Sequence, residues 1–160
     1  MRKAITLLTL MLCFTVSTVC FADEVVEEVL TIDNCPELEV VLQVTNEFDD
    51  SVKSFAESFK GRVIEFDGNI AYLSNHGSYK TRYDILVYYG DYNTSPMTGP
   101  NFQFRDVAIH DLGLAESWST DSVKVGTNVR VQAKVVGYDE KSGLFILDPV
   151  LLEEREVTEK

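Results

Sequence analysis

Five stretches of this chain alternate apolar and polar residues with a period of two, each bounded by turn-forming residues, so everything after residue 61 is constrained to a set of short strands. Segment 62–73 places Ile64, Phe66, Gly68, Ile70 and Tyr72 on one face and Glu65, Asp67 and Asn69 on the other, with the glycine marking a bend. Segment 82–89 sets Tyr83, Ile85, Val87 and Tyr89 opposite Arg82, Asp84, Leu86 and Tyr88. Its second face is apolar enough to predict a central strand. Segments 102–109, 128–138 and 144–148 complete the set. Asp139-Glu140-Lys141-Ser142-Gly143 predicts a hairpin between the last two, and Pro149 is expected to weaken the fifth strand toward its end.

Before residue 62 the period lengthens to that of a helix. Asn34-Cys35-Pro36-Glu37 reads as a helix start, with Asn34 offering a capping oxygen and Pro36 preset for the first turn. Leu38, Val41 and Leu42 then share a face. A second helix follows Asp49, Asp50 or Ser51, since Val52, Phe55, Ala56 and Phe59 recur at helical spacing and Gly61 closes the segment. The Phe55/Phe59 stripe is the kind of face a helix buries against a sheet.

Two basic residues, an apolar run and a small-residue exit near Ala22, with no acidic residue among them, predict a secretory signal peptide over residues 1–22. The expected organisation is then an acidic arm and short helix over 23–48, the strand domain with its leading helix over 49–155 and a charged tail over 156–160, with fraying expected from Glu153 onward. Formal net charge is −12, and removing Arg2 and Lys3 with the leader makes the remainder more negative still. Such a surface repels polyanions, which excludes nucleic acid as a natural partner. Cys13 and Cys20 fall in the leader, so Cys35 has no intramolecular disulfide partner and the fold rests on packing. Burial as a small hydrophobe is the stronger expectation for Cys35, with a reactive or intermolecularly paired thiol left open.

A bent first strand, a non-strand connection carrying Leu112, Leu114 and Trp118, and a closing hairpin together predict a fold that is mainly β with N-terminal helices. The expected form is a small five-stranded OB-like Greek-key barrel. The phrase from Val125 through Gly126 to Val135 resembles the fourth strand of such barrels.

The stretches 61–70, 79–86, 90–92 and 99–107, with their Tyr-Lys-Thr-Arg-Tyr-Asp and Gly-Pro-Asn-Phe-Gln-Phe-Arg-Asp phrases, resemble a bacterial exported-protein family catalogued only as a domain of unknown function. The similarity runs from about Leu30 to Arg155. It implies an exported or envelope location and an OB-like fold, and it brings no activity, cofactor or catalytic residue with it.

Chemistry-bearing residues are few. Arg82 and Arg105 are expected first of all to pair with Glu65, Asp67, Asp84 or Asp106 on neighbouring strands. The alternative has Arg82, Tyr83, Tyr88, Tyr92, Phe102 and Arg105 line a ligand groove, since guanidinium forks and aromatic faces recognise carboxylates, sugars and peptides. Asp91, Asn93, Thr94 and Ser95, and Asp139, Glu140 and Ser142, offer oxygens without the full alternating calcium-loop pattern, so turn formation explains them better. His76, His110 and Cys35 lack zinc-ligand spacing. No nucleophile elbow or phosphate-cradling glycine loop is present.

The sequence thus predicts an exported acidic binding module without catalytic activity or cofactor, meeting the membrane only during export. Its face between the 74–81 and 90–101 loops would receive an unidentified protein, peptide or glycan partner. The alternative is a calcium-responsive extracellular structural protein.

Overall fold

The computed structural model describes residues 28–116 and 118–156. The expected signal peptide and its cleavage point, the first residues of the acidic arm and most of the charged tail lie outside the described residues.

Two short helices, α1 (Pro36–Leu42) and α2 (Asp50–Ser58), precede five strands: β1 (Val63–Asn75), β2 (Tyr83–Tyr89), β3 (Asn101–Val107), β4 (Asn128–Asp139) and β5 (Leu144–Glu154). The strands close into a barrel in the order β1-β2-β3-β5-β4. Every neighbouring pair is antiparallel except β3 and β5, which run parallel. A meander of three strands, a crossover and a hairpin that closes back onto the first strand is the OB-like Greek-key arrangement.

Alternation puts one side of each strand inside. Phe66, Phe102 and Phe145 meet there, the first two stacked at 4.4 Å between centroids and the last two edge-on at 5.3 Å. α2 lies over the end of the barrel where β5 begins. Its Phe55 stands 6.2 Å from Phe145 and stacks on Phe59 at 4.4 Å, as the helical spacing predicts. Asp49 caps this helix by accepting from the Ser51 amide at 2.9 Å. Gly61, at φ 87°, turns the chain out of it and donates its amide to the Val135 carbonyl. Leu112 and Trp118, in the β3–β4 connection with its two 3-10 turns (Ile109–Leu112 and Thr120–Ser122), are buried.

Several details differ from the sequence expectation. The register of β1 slips against β2 between Ile70 and Tyr72, so Ala71 is an extra residue and the faces exchange beyond it. Tyr72 therefore points outward, 55% exposed, and Leu73 takes the core side. β2 is paired on both edges as a central strand is, but in a closed barrel every strand is, so this does not set it apart; Leu86 and Tyr88 form its half-buried outer side. β3 ends at Val107 rather than 109, where the 3-10 turn takes over.

β5 does not stop at Pro149. It continues to Glu154, because Val150 bulges out between the Gln132–Leu151 and Ala133–Pro149 pairings and the missing proline N–H falls beside that irregularity. Glu153 and Glu154 are thus in the strand, and the Arg155 amide still donates to Asn128. Asn34 does not cap α1. Its side chain closes the preceding turn instead, accepting from the Thr31 amide and donating to the Val29 carbonyl, and Cys35, 3% exposed, occupies the cap position.

Candidate binding cleft on the barrel exterior

The six residues expected to line one groove do not converge. Phe102 is 1% exposed and belongs to the barrel interior, because its strand position has the parity of Phe104. Tyr83 likewise leans on the core, its hydroxyl donating to the Lys80 carbonyl. The other four occupy three separate places. Arg82 sits at the start of β2 and Tyr88 near its end, roughly 20 Å apart at about 3.4 Å per residue.

Arg82 belongs to a compact polar knot. Its guanidinium donates to both the carboxylate and the carbonyl of Asp106, with Asp111 at 3.6 Å. Asp106 has φ 55°, a left-handed conformation that Asp tolerates better than most residues. Its amide is held by Asp84, whose carboxylate also takes the Nδ1 side of His76 at 2.9 Å. The Arg82 fork holds the Asp106 carboxyl below its usual range, and Asp106 in turn raises Arg82. This is the strand-to-strand pairing expected for Arg82, with every charge partnered.

Arg105 is paired elsewhere. It donates to the Gln103 amide oxygen at 2.9 Å and to Asp139 at 3.2 Å, not to any of the four carboxylates named from sequence. Asp139 lies below its normal range, chiefly through the Ser142 hydroxyl and then through Arg105. Asp67 instead receives Arg130 at 3.0 Å, and Glu65 receives Gln132 at 2.7 Å.

The remaining two, Tyr88 and Tyr92, border a cleft of about 160 Å³ on the outer surface, roofed by the loop that leaves β2. Its floor is Asn69. This residue faces outward from β1 beside Gly68, yet it is only 5% exposed because the loop folds over it. Its amide nitrogen donates to Gly90 O at 2.9 Å and more weakly to Tyr88 O at 3.4 Å. Two carbonyls on that side fix the amide's orientation, since the opposite one would set oxygen against oxygen. Among the described residues Oδ1 accepts no hydrogen bond and is not fully enclosed, and the residue that carries it lines the cleft.

Tyr92 forms one wall. Its amide donates to Asn128 Oδ1 at 2.7 Å, and its ring lies 3.4–3.6 Å from where a β-carbon on Gly126 would stand. Gly126 has φ 91°, which favours glycine, so the ring rests on bare backbone and remains 43% exposed. Asp91, the one charged residue lining the cleft, is engaged by the Arg155 guanidinium, which also lies 3.5 Å from Asp67.

Asn69 was absent from the sequence-derived site. Alternation identifies it as outward-facing, but its burial depends on a loop that crosses from another part of the chain. A larger groove of about 250 Å³ separates α1 from α2, lined by Val40, Val41, Phe55 and Phe59 together with Glu37 and three serines, and none of the six residues expected from sequence lies in it. Among the described residues no group of three or more His, Cys, Asp or Glu side chains is placed to hold a metal ion, and no helix is long and apolar enough to cross a membrane.

Fold and cleft together define a small closed β-barrel with a recess on its exterior, capped at one end by helices. Residues 33–155 match the family described as Domain of unknown function (DUF4839), and the chain belongs to that family. No curated protein and no solved structure matches the chain.

Proposed function

We propose that this protein is an exported, acidic, non-catalytic binding module that receives a protein, peptide or glycan partner at the Asn69–Tyr88–Tyr92 cleft. The observation that carries this reading is the Asn69 amide oxygen, which accepts no hydrogen bond among the described residues and belongs to a side chain lining a recess bordered by tyrosines. Water can hydrate this oxygen in the empty fold, and a ligand donor can take the water's place beside the aromatic faces. The location fits too, since outer faces and connecting loops are where small barrels of this type hold ligands. The net charge of −12 favours neutral or cationic partners over nucleic acid.

Catalysis is not part of the proposal. His76 is bonded to Asp84 and stacked near Tyr79, with no nucleophile hydrogen-bonded to it among the described residues. Nor does any observation favour the calcium-responsive alternative, because Asp91 and Asp139 are both occupied by arginine.

Amide hydrogen exchange, read in the presence of peptide and oligosaccharide probes, tests the reading. A ligand in the cleft should slow exchange in residues 67–72 and 88–99. Protection confined to the Arg105 side or to the helical groove would remove the cleft as the binding site.

A further inference from the structure

We propose that the ligand taken by this cleft is a neutral sugar ring, one residue of a glycan, seated against Tyr92 with a hydroxyl donated to Asn69 Oδ1. This rests on the cleft reading above and narrows it to one chemistry.

Charge points away from ions. Asp91 is the single charged residue in the lining, and its carboxylate is engaged by Arg155. A ligand ammonium or guanidinium would find that carboxylate already neutralised and a like charge close behind it. A phosphate or carboxylate would meet the Asn69 carbonyl oxygen and Asp91, both acceptors, with no free cation in the lining.

The hydrogen-bonding inventory points toward hydroxyls. Asn69 Oδ1 only accepts, while Asn93 and Thr94, also in the lining, can each donate and accept. A group that carries several hydroxyls around a ring uses such a mixed set, whereas a purely apolar ligand would strand the Asn69 oxygen.

Shape agrees. The Tyr92 backbone is held by its N–H donating to Asn128 Oδ1 and its ring rests against Gly126, which leaves the other side of the ring free as a platform. The face of a sugar that carries C–H bonds is attracted to the electron-rich face of such a ring. At about 160 Å³ the recess is smaller than the pockets that enclose drug-sized molecules, which suits one ring of a longer chain.

Saturation-transfer NMR and affinity titration of the folded protein test this, using cellotetraose, chitotetraose and mannotetraose as neutral probes and a lysine-alanine decapeptide as the cationic one. At least one of the oligosaccharides should bind saturably. Tyr92→Ala should weaken it by about tenfold or more, and Tyr92→Phe should bind like the parent because the ring face is kept. Asn69→Ser, checked for folding by its melting curve, should weaken it as well.

Absence of binding by all three sugars, or binding indifferent to Tyr92→Ala, overturns the sugar assignment. Tyr92-dependent binding of the decapeptide alone overturns it while leaving the cleft as the recognition site. Failure of every probe takes both readings down.

Discussion

The Asn69 amide donates to the Gly90 carbonyl at 2.9 Å, tying the outer face of β1 to the first residue of the loop that roofs the cleft. The amide oxygen of the same side chain accepts no hydrogen bond among the described residues. One side chain thus anchors the loop and presents an acceptor.

Replacing Asn69 by alanine removes the donor to two carbonyls in a nearly buried setting. Denaturant unfolding should show a loss of about 1–2 kcal/mol. Amide exchange at Asp91 to Thr94 should accelerate more than exchange in β3. Equal acceleration across the whole barrel would mean that Asn69 supports the fold globally and is not a local latch.

Phe102 and Tyr92 separate the interior from the exterior. Phe102→Ala opens a hole between Phe66 and Phe145 and should cost about 3–5 kcal/mol, because the surrounding strands cannot collapse into it. Tyr92→Ala, on an exposed loop, should fall within about 0.5 kcal/mol of the parent. Chemical denaturation of the two variants decides this, and a large loss for Tyr92→Ala would make the ring structural.

Acid should unfasten the Arg82–Asp106 pair. A carboxyl whose folded pKa is depressed contributes stability that is present above its unfolded value, about 3.9, and is lost as pH falls through the lower folded value. Asp106→Asn keeps a residue suited to the left-handed backbone and removes only the charge. The variant should melt below the parent at neutral pH, and the two curves should draw together in acid below the ordinary aspartate range. A constant gap across pH would show that the carboxylate's charge is not what holds Arg82.

Melting curves in calcium and in chelator should superimpose. Asp91 in the loop after β2 and Asp139 at the end of β4, the aspartates the calcium reading would use, already hold Arg155 and Arg105. A shift of several degrees upward in calcium would reveal a folded-state site and revive the ion-responsive reading, since a ligand at 100 times its Kd adds about 2.7 kcal/mol.

Much of the barrel is legible in local pattern. Phe55 and Phe59 at helical spacing, and Val129 to Val135 at period two, are committed by which residues must avoid water. Tyr72 lies on the face opposite to the one alternation predicts, because a single extra residue at Ala71 inverts the faces and alternation carries no mark of where a bulge will form. Pro149 does not end β5, because a proline ends a strand only where its N–H is needed, and the Val150 bulge removes that need.

The candidate site was harder to read. Residue type alone groups Tyr88 and Tyr92 with Phe102, which strand parity turns inward, and with Arg82 and Arg105, whose partners are carboxylates at other places.

What the sequence by itself determined is therefore the number and chain order of the strands, their inward faces where no bulge intervenes, and the two helices that precede them, because hydrophobic periodicity is a local property of the chain. What only the tertiary structure decided is which outward residues are covered. Asn69 meets Gly90 across 21 positions and Tyr92 meets Asn128 across 36, and contacts at that separation arise from barrel closure and loop placement, which no short window of residues encodes.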